Sequence, residues 1–192
     1  MAAGKEIPRY TVPSLEPEDG AKVAEILQDR LDSLTDLHLT LKHVHWNVVG
    51  PNFIAVHEMI DPQVDAVRAM TDQIAERIAT LGGAPVGTPG ALVKARGWED
   101  YHLGRATAIE HLGALDEVYQ GVITSHRKAA AETEELDTVT NDMLVSHLHE
   151  LELFHWFVRA HLENAGGDLS TAGATTELGA ARQARESKKA AG

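Results

Sequence analysis

The chain has 192 residues, 43% of them apolar, a formal net charge of −12 and no cysteine. That length suits one domain with a hydrophobic core, and the missing cysteine excludes disulfides, thiolate metal sites and a cysteine nucleophile. The acidic balance argues against a body that binds nucleic acid by itself and suits one that attracts cations, for which eleven histidines and 29 carboxylates are a large stock of ligands.

Residues 1–16 read as a tail, with no continuous apolar segment of the signal-peptide kind. No window anywhere approaches the roughly 18 apolar residues of a membrane span, so no membrane is expected as partner and the cytoplasm is the default location. A first helix is predicted from about Pro17 to Val49, where Leu27, Leu31, Leu34, Leu41, Val44 and Val48 recur at three- and four-residue steps. Gly50-Pro51 ends it. Asn52 is the expected N-cap of a second helix that stops at Leu81 before Gly82-Gly83, with Pro62 inside it as a kink or as its effective start.

A Gly- and Pro-rich connection follows, with room for a short helix. A third helix is predicted from about Asp100 to Glu134, through Leu103, Ile109, Leu112, Val118, Val122 and Ile123. A fourth runs from about Thr138 to Ala165, capped by Gly166-Gly167. No strand pattern competes. Short, long and short links imply two antiparallel hairpins joined by one crossover, which is an all-α, ferritin-like four-helix bundle over residues 17–167. Residues 168–192 are rich in Ala, Gly, Ser and Thr and are expected to be a mobile tail.

The stretch HWNVVGPNFIAVHEMID, His45 to Asp61, sets two histidines and an aspartate around a Gly-Pro break. They either hold the turn together or hold a metal. The second helix carries His57, Asp61, Asp72 and Glu76, and at about 100° per residue all four side chains fall within an arc of roughly 100°. Asp61 and Asp72 are nonetheless separated by about 16 Å of helix axis, while metal–ligand bonds are about 2 Å. One site cannot use both pairs from one chain. A second copy of the helix, antiparallel across a two-fold axis, brings His57 and Asp61 of one chain opposite Asp72 and Glu76 of the other. His45, near the end of the first helix, fits either half. The simpler alternative is a solvated polar face with an i,i+4 helix pair.

The stretch from Asp36 to Gly82 resembles the signature region of the Dps family, the small ferritin relatives called DNA-binding proteins from starved cells, and most closely its actinobacterial members. Its pattern is His-Trp, a His twelve residues on, an Asp four later, then Asp and Glu as DxxxE; here these are His45-Trp46, His57, Asp61, Asp72 and Glu76. The resemblance implies a homododecameric cage. It would be a ferroxidase that oxidises Fe2+, typically with hydrogen peroxide, at sites shared across the two-fold interface, and stores Fe3+ mineral, so protecting DNA. It groups His45, Asp72 and Glu76 on one subunit and His57 and Asp61 on its partner. Trp46 is implied beside the iron, with plain packing as the alternative, and Lys42 is either a partner of a site carboxylate or solvated.

Two ExxH motifs, Glu99–His102 and Glu152–His155, lack matching motifs on the first two helices, so no di-iron centre within one chain is expected. His43 with His45, and His147 with His149, are i,i+2 pairs pointing about 200° apart and are no chelates. His38 shares a face with His45 and is expected to be buried or interfacial. Asp137 and Asp142 match the acidic pore-lining start of the last helix in such cages, or simply complement a helix dipole; Ser146 stands where the family's third acid is usual. In the tail, Arg182, Arg185, Lys188 and Lys189 against Glu186 give a net +3, which many copies on one cage would turn into weak, sequence-independent DNA binding and nucleoid association. Lys5 and Arg9 are the alternative DNA contacts. The competing function is a protein that mainly compacts the nucleoid.

Overall fold

The computed structural model describes residues 8–190. Its helices are α1 (Pro17–Asn47), α2 (Phe53–Thr80), α3 (Pro89–Ala95), α4 (Ala108–Thr133), α5 (Thr138–Ala160) and α6 (Glu177–Ala190). α1 packs along α2 and α4 along α5. The crossover from Leu81 to Thr107 carries α3 and joins the two hairpins. Leu27, Leu34, Leu41, Ile60, Ile74, Leu115, Leu144 and Leu151 are fully buried between the hairpins. Each such side chain contributes about 1.5–3 kcal/mol by leaving water. Among the described residues no helix is long and apolar enough to cross a membrane.

The turn that shapes the candidate site lies between α1 and α2. Gly50 has φ +83° and Asn52 φ +65°, both left-handed, and Phe53 N–H donates to Gly50 O at 3.1 Å. Asn52 stands at the N-cap position, but its side chain caps nothing; Val56 N–H reaches its carbonyl instead. α2 runs through Pro62, so Pro62 does not start the helix. The first helix stops two residues early. Val48–Val49 leave it as β1 and pair in parallel with β2, Ala106–Thr107, a ladder that alternation in the sequence did not announce. This ladder ties the end of α1 to the start of α4.

α4 begins at Ala108, eight residues later than the periodicity suggested. Thr107 and Glu110 form a capping box: Thr107 N–H and Oγ1 donate to Glu110 Oε2 at 3.1 and 2.7 Å. α5 likewise ends at Ala160 rather than Ala165. Gly166 and Gly167 turn a loop beyond it, in which Asn164 Oδ1 accepts from the amides of Gly166 and Asp168.

The largest correction concerns the tail, expected mobile. Residues 177–190 form α6, laid along α4 through buried Ala180, Ala181 and Ala184. Small residues let the backbones approach: a Cβ on Gly113 would stand 2.7 Å from Ala180 O. Ahead of α6, buried Thr171 donates through Oγ1 to Asp116 Oδ2 at 2.6 Å.

Candidate metal centre

His45 lies in the last turn of α1 and His57 in the second turn of α2, brought face to face by the Gly50–Asn52 reversal. Their contacts are reciprocal. His45 Nδ1–H donates to His57 O at 3.0 Å, and His57 Nδ1–H donates to His45 O at 2.9 Å. The rings stack, with centroids 3.7 Å apart and planes at 22°. In the neutral form of the rings these bonds place the proton on Nδ1. With Nδ1 carrying the proton, each Nε2 keeps its lone pair, the arrangement found in metal-binding histidines. The two histidines therefore hold the turn with Nδ1 and leave Nε2 without a hydrogen bond.

Asp61 joins them one helical turn beyond His57. Its Oδ1 is 3.2 Å from His45 Nδ1 and 2.8 Å from Lys42 Nζ. The Lys42 hydrogen bond holds the Asp61 carboxyl below the ordinary carboxylate range despite some opposing desolvation, and the nearby histidines pull in the same direction. Lys42 is thus a partner of a site carboxylate. Phe53 packs against His57 with centroids 5.0 Å apart; sequence periodicity gave no signal for that contact. Trp46 is 71% exposed, so it is not a packing residue of its own subunit. Leu39, Phe53 and Ile54 are also exposed.

Asp72 and Glu76 sit farther along α2, exposed. Among the described residues no three His, Asp or Glu side chains of one chain converge to hold a metal. What exists is the stacked His45–His57 pair with Asp61 against the Nδ1 side of His45, and, farther along α2, Asp72 and Glu76. Within the chain His45 stands with His57, on which its ring is stacked, rather than with Asp72 and Glu76 as expected.

Asp137 is the N-cap of α5. It accepts from Thr140 N–H at 3.3 Å and from Thr140 Oγ1, and pairs with Arg77 Nη2 at 2.5 Å. Burial pushes its carboxyl up, but Arg77 and Thr140 hold it below the usual range. Asp137 is thus committed within its own chain, whereas Asp142 is exposed. His38 is half-buried, and burial first, then Arg68 and Lys42, lower its pKa. Arg182, Arg185, Lys188 and Lys189 are exposed on α6, with Arg185 Nη1 donating to Glu110 Oε1 at 3.2 Å. Arg9 is exposed; Lys5 lies outside the described residues.

One buried network escaped the sequence reading. Asp116 accepts from His155 Nε2 at 2.6 Å, Arg159 Nε at 2.9 Å and Thr171 Oγ1 at 2.6 Å. The Glu152–His155 motif was its only trace, and its histidine serves this network.

A ferritin-like domain matches residues 24–166. A DNA protection during starvation protein from Mycolicibacterium smegmatis is 58% identical over 176 residues, 92% of this chain and 96% of its own length. The solved structure of DpsA14 from Streptomyces coelicolor is 62% identical, with a TM-score of 0.84, covering 85% of this chain and 97% of that one. A fine tangled pili major subunit from Haemophilus ducreyi is 51% identical over 160 residues, 83% of this chain and 85% of its own.

Proposed function

The chain belongs to the Dps family of ferritin-like proteins, and from that premise we propose that it is a ferroxidase: it oxidises Fe2+ and stores Fe3+ inside a homododecameric cage. His45, His57 and Asp61 of one subunit and Asp72 and Glu76 of its two-fold partner would hold the iron substrate, twice per dimer. The observation that carries this reading is the clasp. It leaves two Nε2 lone pairs and a carboxylate at one end of α2 and two unpaired carboxylates farther along the helix, with no complete site among the described residues of one chain. Imidazole and carboxylate together suit ferrous iron and leave positions open for an oxidant. With hydrogen peroxide the balance is two Fe2+, one H2O2 and two protons giving two Fe3+ and two waters, with no hydroxyl radical released, which is how such a cage protects DNA. Few protein ligands keep the site weak enough for Fe3+ to move on into mineral.

Mixing inactive variants before assembly tests the shared site. His57→Ala supplies a good acidic half and Glu76→Ala a good clasp, so a mixed dimer regains one intact site. Random mixing then restores roughly a quarter of the sites. His45→Ala mixed with Glu76→Ala should recover equally, and His45→Ala mixed with His57→Ala should not recover at all. Recovery in that last pair, or none in the first two with mixed cages verified by mass, refutes the assignment.

The exposed cations of α6 support a second activity: weak, salt-sensitive DNA binding and nucleoid association of a cytoplasmic cage, the main role if ferrous oxidation proves absent. An acidic body opposes it, so the binding rests on many tails acting together. Gel shifts across a salt series, with and without residues 178–192, measure it.

A further inference from the structure

Away from the clasp, the interior of the bundle holds a second pair of histidines. His126 of α4 is 0% exposed and His147 of α5 is 3% exposed. His147 Nε2 lies 2.7 Å from Gln73 Oε1, so it carries the proton and Nδ1 keeps the lone pair. That Nδ1 has no partner, and neither nitrogen of His126 has one. Three bare ring nitrogens on two adjacent buried rings are costly in a folded core and call for an explanation.

The ring centroids are 5.6 Å apart and the planes are tilted by 44°. An imidazole nitrogen lies about 1.1 Å from its ring centre, and metal–nitrogen bonds are about 2 Å, so one ion between two imidazoles sets the centroids about 6.2 Å apart when the two bonds are collinear and about 5.4 Å apart when they meet near 120°. The pair fits that window. Burial pushes His126 down to about 3 and His147 down to about 4, so at neutral pH protons do not occupy the lone pairs. At neutral pH Arg30 is the charged group that bears on His126, and among the described residues no carboxylate bears on either ring. Nothing there offsets a dication, and the cost of burying charge grows steeply with charge.

We propose that His126 and His147 form a closed, two-coordinate site for a monovalent d10 metal ion, with Cu+ as the natural occupant. Two neutral imidazoles suffice for such an ion, and copper accepts imidazole nitrogen. The site is separate from the ferrous centre and does not depend on it.

Silver(I) is the redox-silent probe. The assembled protein is equilibrated with silver nitrate in chloride-free buffer, gel-filtered, and its retained metal counted against His126→Leu and His147→Leu. The wild type should keep one more silver per chain than either variant, with X-ray absorption showing two nitrogen ligands. Ferrous oxidation in both variants should stay within about twofold of wild type, which separates this proposal from the ferroxidase reading. Equal retention in wild type and variants overturns the site. Zn2+ held at the pair overturns its assignment to a monovalent ion. Should neither variant assemble, anomalous scattering from a silver-soaked wild-type crystal decides: silver between the rings supports the proposal, and a bridging water alone overturns it.

Discussion

Replacing Asp116 with Asn removes one charge from the buried network that joins α4, α5 and the segment leading to α6. Burial raises this carboxyl, but His155, Thr171 and Arg159 outweigh it and hold the pKa at about 2. Against an unfolded value of about 3.9, that depression corresponds to about 2–3 kcal/mol of stability at neutral pH. The folded pKa is the lower one, so this stability is complete above about pH 4 and is lost as the pH falls toward 2. Asn keeps the size and one acceptor, but its amide meets a donor from His155, Arg159 or Thr171. A loss of about 2–3 kcal/mol lowers the melting temperature of a chain this long by roughly 5–10 °C. Calorimetry of the two proteins at equal concentration should show that gap at pH 7 and a narrowing gap below pH 4. The loosened Thr171 anchor should also speed proteolysis ahead of α6. A gap that stays constant down to pH 2.5, or no gap at pH 7, refutes the reasoning.

Lys42→Met removes the cation that holds Asp61, so ferrous half-saturation should drop several-fold in a titration followed by oxidation rate; a rise would mean that Lys42 helps to form the site. Asp142→Asn should slow mineral growth with assembly intact, because exposed carboxylates concentrate cations at an entrance; unchanged uptake would leave Asp142 a simple surface acid. Asp137→Asn should instead cost about 1–2 kcal/mol through the α5 cap and the Arg77 pair, read in the melting curve. Gly113→Ala should lift α6, since its Cβ would meet Ala180 O at 2.7 Å and Ala184 Cβ at 3.0 Å; faster tryptic cleavage at Arg182 and Arg185, with ferrous oxidation unchanged, is the expected pattern.

Where one helix alone carried the information, the sequence was legible. Leu27, Leu34 and Leu41 mark the buried side of α1 by spacing, and Gly82 at φ +88° ends α2 where a left-handed residue was needed. The start of α4 was misjudged because Leu103 and Leu112 are both buried, although Leu103 belongs to a small cluster with Ala114 and Ala181. The Thr107–Glu110 capping box was present to be read and marks the true start. The α6 error has another cause. Ala180, Ala181 and Ala184 offer little apolar area, and only the matching surface at Gly113, more than sixty residues away, turns small size into close packing.

The same limit explains why the place of His45 was not legible. Helical phase relates His57, Asp61, Asp72 and Glu76 to each other because one helix carries them all. It says nothing of His45, since the left-handed residues Gly50 and Asn52 reset the phase between α1 and α2. Only the folded turn shows that His45 and His57 grip each other's carbonyls. That grip has a consequence for the proposed chemistry. Two histidines fixed by backbone carbonyls keep their orientation before any partner arrives, so docking the acidic half need not order them, and the entropic cost of completing the site is small. With too few ligands in one chain to keep iron, oxidation would follow dimer formation, and iron would be committed only where a cage exists to receive it.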